Sequence, residues 1–404
     1  MGATPVTDGI WWVGAIDWNL RDFHGYETPR GTTYNAYLVR GSEKTALVDT
    51  VKAPFAGELV RRVSTLMDPA DVDYIVVNHV EPDHNSGLRL VMDAMPNATV
   101  VGSKAAVPAI AAYHDGLEVG QVGPDDVIDL GGRTLRFMPA PMVHWPDSMF
   151  TWCEEVSTLM PNDALGQHVA SSARFADELG IDLSLEELGI YWANILMPVG
   201  KRVGRSLAQL GEAGWHPEIV APSHGVIWRG EALPRALASY AAWGAGQVSR
   251  KVVIAYGTMW GSTDSMARAI ADGVEEGGVV CKLYDLAVRP VASVTWELLE
   301  ADTLLLGSPT LHHGMLRQVS GYLTYLEGLR PPGKAAAVFG SFGWSGGATK
   351  NMAARLEAIG FEMPVEELTV KYRPDAAELE SCREWGRTIA AEVLRRTPET
   401  AAAS

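Results

Sequence analysis

The chain has 404 residues, a net charge of −16, 47% hydrophobic residues and 20% charged ones. That length fits two domains rather than one, and the composition is that of a globular protein. The acidity argues against a nucleic-acid partner, which wants a basic face, and no apolar run reaches the ~18–20 residues that span a bilayer.

The N-terminus has no basic start leading into an apolar core, so a cytoplasmic location is expected. Cys153, Cys281 and Cys382 include no close pair, which argues against a disulfide framework or a cysteine-ligated metal. In chain order, strands are predicted at 33–39, 45–51, 74–77, 99–102, 134–138, 149–152 and 158–160, with helices at 54–67 and 185–197. Such a mixture suggests layered sheets covered by helices. An Ala-rich helical pattern at 233–243 closes the first part, and the apolar run 251–256 restarts an α/β pattern as a buried strand. The boundary falls near 247–250, giving expected domains 1–249 and 250–404. Counted through Arg250, the first part holds 18 Lys and Arg against 30 Asp and Glu, and the second 15 against 19, so most of the acidity lies in the first. Regular alternation of strand and helix in the second part suggests an open parallel sheet. The tail 397–404 is expected to fray.

The densest chemistry lies at 78–84, NHVEPDH, straight after the apolar strand 74–77. If the segment is extended, His79, Glu81 and Asp83 share a face. Pro82 lacks an N–H and suits the end of a strand, and His84 adds a fourth donor from the turn. Imidazoles and carboxylates so grouped read as part of a metal shell; the bland alternative is a solvated loop. Three later segments, each following a strand or apolar run, add His144 in PMVHWP, Asp163 in PNDALGQH and His224 in APSHGV. One such histidine alone is more often a structural hydrogen bonder. Four such sites in one domain favour a shared centre.

The order His79-x-Glu81-x-Asp83-His84, then His144, Asp163 and His224, resembles the metallo-β-lactamase-like fold, whose dinuclear signature is His-x-His-x-Asp-His. Glu81 in place of the second histidine resembles the flavodiiron proteins (A-type flavoproteins). The stretches 17–38, 162–168, 193–198 and 221–229 resemble that family too. The resemblance implies an αββα sandwich with two irons. His79, Glu81 and His144 would hold one, Asp83, His84 and His224 the other, and Asp163 would bridge them. It places His24 beside the pocket as a catalytic candidate. Many relatives carry Tyr-Tyr before Ala-Asn-Ile where this chain has Tyr191-Trp192. Trp192 is the second catalytic candidate, an indole in place of a phenol if that position lines the pocket. His168 either orients a ligand or is a structural hydrogen bonder; His114 and His216 fit no motif and read as surface or turn residues. The extra carboxylate favours iron or manganese over zinc. Three carboxylates and one hydroxide would neutralise two ferrous ions.

Thr258, Met259, Trp260, Gly261, Ser262 and Thr263 follow the strand 252–256 and precede a helical pattern at 264–274. A hydroxyl-rich turn there presents backbone amides to a phosphate. It has neither the Gly-Lys-Ser/Thr ending nor the Gly-x-Gly-x-x-Gly fingerprint, so a mononucleotide fits better. Pro309, Thr310 and Leu311, and then Ser341, Phe342, Gly343, Trp344 and Gly346, end two later buried strands. In a doubly wound sheet these loops gather at one edge, where ligands bind. Trp260 and Trp344 would pack on a flavin or, failing that, in the core. These motifs resemble the flavodoxin-like domain of the same family, with FMN as the cofactor. Gly257 stands where relatives often carry Asp, and His312-His313 where they often carry Asn-Asn.

The resemblance implies an oxidoreductase. FMN would pass electrons to a non-haem diiron site that reduces O2 to water, NO to nitrous oxide, or both. It implies a head-to-tail homodimer, or a dimer of dimers, so that one subunit's FMN faces the other's irons. No Cys-x-x-Cys segment follows residue 390, so a separate donor is expected, a rubredoxin-like protein or a reduced deazaflavin. The alternatives are a binuclear zinc hydrolase with a fused flavodoxin-like domain, or an electron carrier or redox sensor whose metal is structural.

Overall fold

Ile75, Val76 and Val77 are all buried, yet they serve two different cores. Their strand, Tyr74–Val77, runs parallel to Thr45–Val48 on one side and to Thr99–Gly102 on the other. In a computed structural model describing residues 2–397, it lies inside a seven-stranded sheet. The sheet's order is Thr4–Thr7, Ile10–Trp12, Tyr37–Arg40, Thr45–Val48, Tyr74–Val77, Thr99–Gly102 and Gly120–Gln121. The rest of the tail expected to fray lies outside the described residues. Successive side chains in a strand face opposite ways. Val76 therefore joins Trp12 and Tyr37 against Leu135, Phe137, Met149 and Met160 of a second sheet. Ile75 and Val77 instead meet Leu59, Val63, Leu88, Val91 and Ile110 from covering helices. Burial on both faces explains the unbroken apolar run. Truncating Ile75 to Ala should cost about 2–5 kcal/mol.

The second sheet has six strands, in the order Val127–Asp129, Thr134–Pro139, Met149–Cys153, Thr158–Met160, Ile219–Val220 and Trp228–Arg229. Two sheets packed face to face with outer helices form the αββα sandwich. Contacts divide the chain into two units: Met1–Tyr191 with Val199–Gly244, and Trp192–Pro198 with Ala245–Ser404.

Two elements differ from expectation. The strand predicted at 33–39 is two strands, Thr32–Tyr34 and Tyr37–Arg40, in different sheets. Asn35 breaks the run: its amide donates to the Pro222 and Gly225 carbonyls (2.8 and 3.1 Å) and its oxygen accepts from Trp12 Nε1 (2.7 Å). The helix predicted at 185–197 is Ile181–Tyr191, followed by a π-helical turn Trp192–Leu196 and a 3-10 turn Met197–Val199. The segment Trp192–Pro198 groups with the second unit, where Asn194 accepts from Tyr325 (2.8 Å) and donates to the Ala292 carbonyl (3.3 Å). Of the two readings of His114, surface or turn, the structure has the turn: it is buried just after helix Ala106–Tyr113.

The second unit has five parallel strands in the order Val280–Asp285, Ser249–Tyr256, Ala301–Gly307, Ala335–Phe342 and Leu368–Lys371. Numbered along the chain, that is 2-1-3-4-5, the doubly wound flavodoxin-like order. Val253 and Ala255 face one core, and Val252, Ile254 and Tyr256 the other. The direction of winding reverses beside Ser249–Tyr256, which opens a crevice at the ends of that strand and Ala301–Gly307. No helix among the described residues is long and apolar enough to cross a membrane.

One buried acid in the first unit gives a test of stability. Glu187, on helix Ile181–Tyr191, accepts from Arg30, which it shares with the exposed Glu186. Burial outweighs the pull of Arg30 and raises the Glu187 carboxyl from its ordinary 4.5 to about 7. The folded state therefore favours the protonated acid. Its contribution to stability is full below pH 4.5 and is lost as pH rises through about 7. Glu187→Gln removes that loss, so thermal unfolding at pH 5 and pH 8 should show the wild type losing more stability than the variant.

Candidate functional site

The strand Tyr74–Val77 delivers His79 to its carboxyl end, and Asn78 anchors the exit. Asn78 donates through its backbone and side chain to Asp49 (2.8 and 3.1 Å), and Asn162 donates to the same carboxylate (3.1 Å). The backbone then departs from the expected extended path. Pro82–Asn85 is a single helical turn with Glu81 at its N-cap, because the fixed φ of proline suits the first helical position. Asp83 and His84 thus project from a helical turn, while His79 and Glu81 precede it.

The seven sequence-derived ligand candidates fall into two adjoining sets, His79, Glu81, His144 and Asp163, and Asp83, His84 and His224. His144 Nε2 lies 3.2 Å from both Glu81 Oε2 and Asp163 Oδ2. His79 Nε2 lies 3.3 Å from Glu81 Oε2 and 3.5 Å from Asp163 Oδ2. On the other side, His84 Nε2 is 3.0 Å from Asp163 Oδ1 and 3.3 Å from Asp83 Oδ2. His224 Nε2 is 3.2 Å from Asp83 Oδ2 and 3.5 Å from Asp163 Oδ1. Asp163 therefore gives one oxygen to each set.

These residues fit a pair of metal ions. Asp83 Oδ1 and Oδ2, His144 Nε2 and Asp163 Oδ2 are buried without a hydrogen-bond partner among the described residues, although each set's nitrogens and oxygens converge. Polar atoms so buried are costly unless something binds them. Burial alone would push His79, His84 and His144 down. The surrounding carboxylates override it and raise them to about 10, 9 and 10. Burial would likewise raise Glu81, Asp83 and Asp163, yet the facing imidazoles hold all three low. Without cations the cluster balances its charge with protons, which metal ions would displace. The four histidines direct Nε2 inward, while Nδ1 of two of them is tied behind. His79 Nδ1 meets Asp147 Oδ2 (2.9 Å), and His224 Nδ1 meets the Thr33 carbonyl (2.6 Å).

Asp147 was not singled out from the sequence. Its only signal is its place three residues after His144. Its carboxylate also accepts from the Val80 amide (2.8 Å), so one group orients His79 and fixes the strand exit. Asp147→Asn should lower metal affinity about 10–100-fold with the fold intact, measured by competition with a chelator.

His24 sits with positive φ in the two-residue turn between the paired strands Asp22–Phe23 and Tyr26–Glu27. Its Nε2 is 2.5 Å from Glu81 Oε1, so it touches a ligand rather than joining either set. His168 lies behind the second set, its ring 4.8 Å from that of His224 and its Nδ1 2.8 Å from Thr32 Oγ1. Burial, then the neighbouring His224, pushes His168 well below the ordinary imidazole range and keeps it neutral. Tyr191 is one of several aromatic residues that the first unit sets here, 5.0 Å from His168 and 6.1 Å from His224 between ring centroids, with Phe23 at 4.9 and 6.0 Å from the same two rings. Trp192, the candidate from sequence, opens the π-helical turn and groups with the second unit. A π-turn rotates successive side chains away from the helical register, so neighbours need not share a face.

In the second unit, a cavity of about 550 Å³ opens at the switch point. Met259, Trp260, Ser262, Pro309, Thr310, Leu311, Ser341, Phe342, Gly343 and Trp344 line it, and so do His312, His313, Ser345 and Tyr372. Four expected residues lie outside this lining. Thr258 Oγ1 accepts from the Gly261 amide (3.1 Å), and Gly261 takes φ 85° to start helix Ser262–Glu276. Thr263 is buried against Ser341 (3.2 Å between hydroxyls), and Gly346 lines a neighbouring cavity. The helix has no capping side chain, so its first amides are open to a phosphate. Trp260 and Trp344, each 91% exposed, flank the cavity with indole faces that a flat ring could cover. The residues fit FMN.

The sandwich with two adjoining His–carboxylate sets, joined to a doubly wound nucleotide-binding unit, defines a metallo-β-lactamase-like domain followed by a flavodoxin-like one. Family models agree: ODP family beta lactamase matches residues 32–225, and Flavodoxin residues 254–386. The chain is 44% identical to a nitric oxide reductase of Moorella thermoacetica, covering 96% of this chain and 98% of that one. It is 39% identical to the rubredoxin-oxygen oxidoreductase of Megalodesulfovibrio gigas, covering 96% and 98%. The crystal structure of the flavodiiron protein from Giardia intestinalis superposes with a TM-score of 0.93 at 30% identity, covering 98% of each chain. The chain belongs to the flavodiiron proteins.

Proposed function

We propose that this chain is a flavodiiron oxidoreductase that reduces O2 to water, NO to nitrous oxide, or both, in the cytoplasm. The observation that carries this reading is Asp163, whose two oxygens face two separate His–carboxylate sets. The names of the relatives from Moorella and Megalodesulfovibrio support both acceptors and a rubredoxin donor; a reduced deazaflavin is the other donor class. In this reading residues 1–249 hold two irons through His79, Glu81, Asp83, His84, His144, Asp163 and His224, and residues 250–404 hold FMN. When bound, FMN supplies electrons and the iron pair supplies two adjacent sites for a small diatomic molecule.

The protein's own groups place and shield that chemistry. The Thr258–Thr263 turn and the helix amides hold the phosphate. Trp260 and Trp344 cover the ring. Asp147 and the Thr33 carbonyl hold His79 and His224 with Nε2 forward. His24 bonds Glu81 and fixes its carboxylate. Tyr191, raised well above the ordinary phenol range by burial, keeps its proton, and its hydroxyl has no hydrogen-bond partner among the described residues. It is thus a donor beside the cluster. Electron transfer would run in a head-to-tail homodimer, one subunit's flavin facing the other's irons.

The test is anaerobic reduction of the holoenzyme, then separate titration with O2 and with NO while flavin absorbance is followed. Reoxidation far faster than that of free flavin is expected with at least one acceptor. Two zincs, no flavin absorbance and ester turnover would instead favour the hydrolase reading.

A further inference from the structure

The turn 311–314 is built against its own backbone preference. The Leu311 and Gly314 amides bond each other's carbonyls at 2.9 Å, closing a two-residue turn over His312 and His313. Both have positive φ, 49° and 60°, as a type I′ turn requires, and Asn or Gly occupies such positions at less cost. The turn is held in place from below. A Cβ on Gly347 would lie 2.5 Å from the His313 carbonyl, so only glycine admits this packing. Both imidazoles are exposed and line the flavin cavity beside Trp260 and Trp344. Two costly residues held at a ligand's edge point to a role for the side chains.

We propose that the His312–His313 turn couples a proton to the flavin's redox change, one imidazole taking up a proton when the FMN is reduced and releasing it on reoxidation. This rests on the reading of the cavity as the FMN site. At neutral to alkaline pH, two-electron reduction delivers two electrons and one proton to the ring and leaves it with one negative charge. A neutral imidazole at its edge then takes a proton from solvent, and the resulting cation offsets that charge. Imidazole is the side chain whose ordinary titration falls between pH 5 and 8. The charged groups on the surrounding elements are Asp264, engaged by Tyr256 and Arg268, then Arg317 at the head of helix Arg317–Leu329, Lys350 and Glu367 in the neighbouring cavity, and Lys371 before Tyr372. None of them has a hydrogen bond or ion pair to either imidazole among the described residues.

The experiment is a spectroelectrochemical titration of the flavin in the holoenzyme from pH 7 to 9, above the range in which the reduced ring itself takes a second proton. In the wild type, the slope of two-electron midpoint potential against pH should double over part of that range, because two protons rather than one accompany two electrons. In the double variant His312→Asn and His313→Asn, which keeps residues suited to positive φ, the slope should stay at one proton throughout. The single variants should locate the proton on one of the two histidines. A wild-type plot with no change of slope overturns the proposal, even if the variants fail to fold. A change of slope that persists in the double variant overturns it as well. Flavin absorbance of the purified wild type tests the FMN reading separately: a protein that binds no FMN fails there, before any slope is measured.

Discussion

Asp163→Asn is expected to strip the centre of both metals together. Its Oδ2 serves His79 and His144 and its Oδ1 serves His84, with Ser223 also donating to Oδ1 (2.7 Å). The amide keeps the shape but turns one oxygen into an N–H donor facing inward, and it removes one of three negative charges that balance the metals. Whichever way the amide points, one set loses its shared ligand. The loss should therefore exceed the ~10–100-fold in affinity expected from removing a group that merely supports a ligand. Metal analysis of the purified variant should show little iron, with FMN absorbance unchanged because the flavin loops belong to the other unit. Full iron content in the variant would rule out a bridging Asp163. Iron at half the wild-type level would mean that the set facing the retained amide oxygen keeps its metal after the bridge is lost.

How much of this was legible in the sequence differs between the two halves of the site. The grouping of the seven candidate ligands was legible because imidazoles and carboxylates at strand ends stand out against apolar strands. The path of the backbone between them was not. The spacing at 79–84 reads as extended, and only the preference of Pro82 for the start of a helix puts Asp83 and His84 on a turn of their own. Groups behind the ligands were hidden for another reason. Asp147, Thr32 and Asn35 are common residues in common places, and their roles arise from long-range contacts that no local pattern encodes. Tyr191 and Trp192 show the same limit. A continuous helical pattern does not reveal a π-turn, so which of these two neighbours packs against the cluster histidines follows from the structure. The flavin loops were more transparent, because strand-end loops in a doubly wound sheet must converge on one edge. Even so, His312 and His313 read as departures from a pattern until the cavity lining included both.

Glu81→His should change which metal the protein keeps. Glu81 gives Oε2 to His79 and His144, at 3.3 and 3.2 Å, and Oε1 to His24 at 2.5 Å. An imidazole there can still offer one nitrogen to the first set. It removes a negative charge, however, and turns a shell of four histidines and three carboxylates into one of five and two. Nitrogen-rich shells suit zinc, while added carboxylate suits iron. Protein produced with both metals available should show zinc rising and iron falling, and reduction of NO or O2 should drop in step with the iron lost. Glu81→Gln separates the two causes, since it keeps an oxygen donor and removes only the charge. If the glutamine variant keeps iron and the histidine variant does not, the donor atom decides the metal. If both lose iron equally, charge balance decides it. Full iron and full turnover in Glu81→His would leave the choice of iron to some other feature of the site, and the glutamate would then be one more ligand among seven.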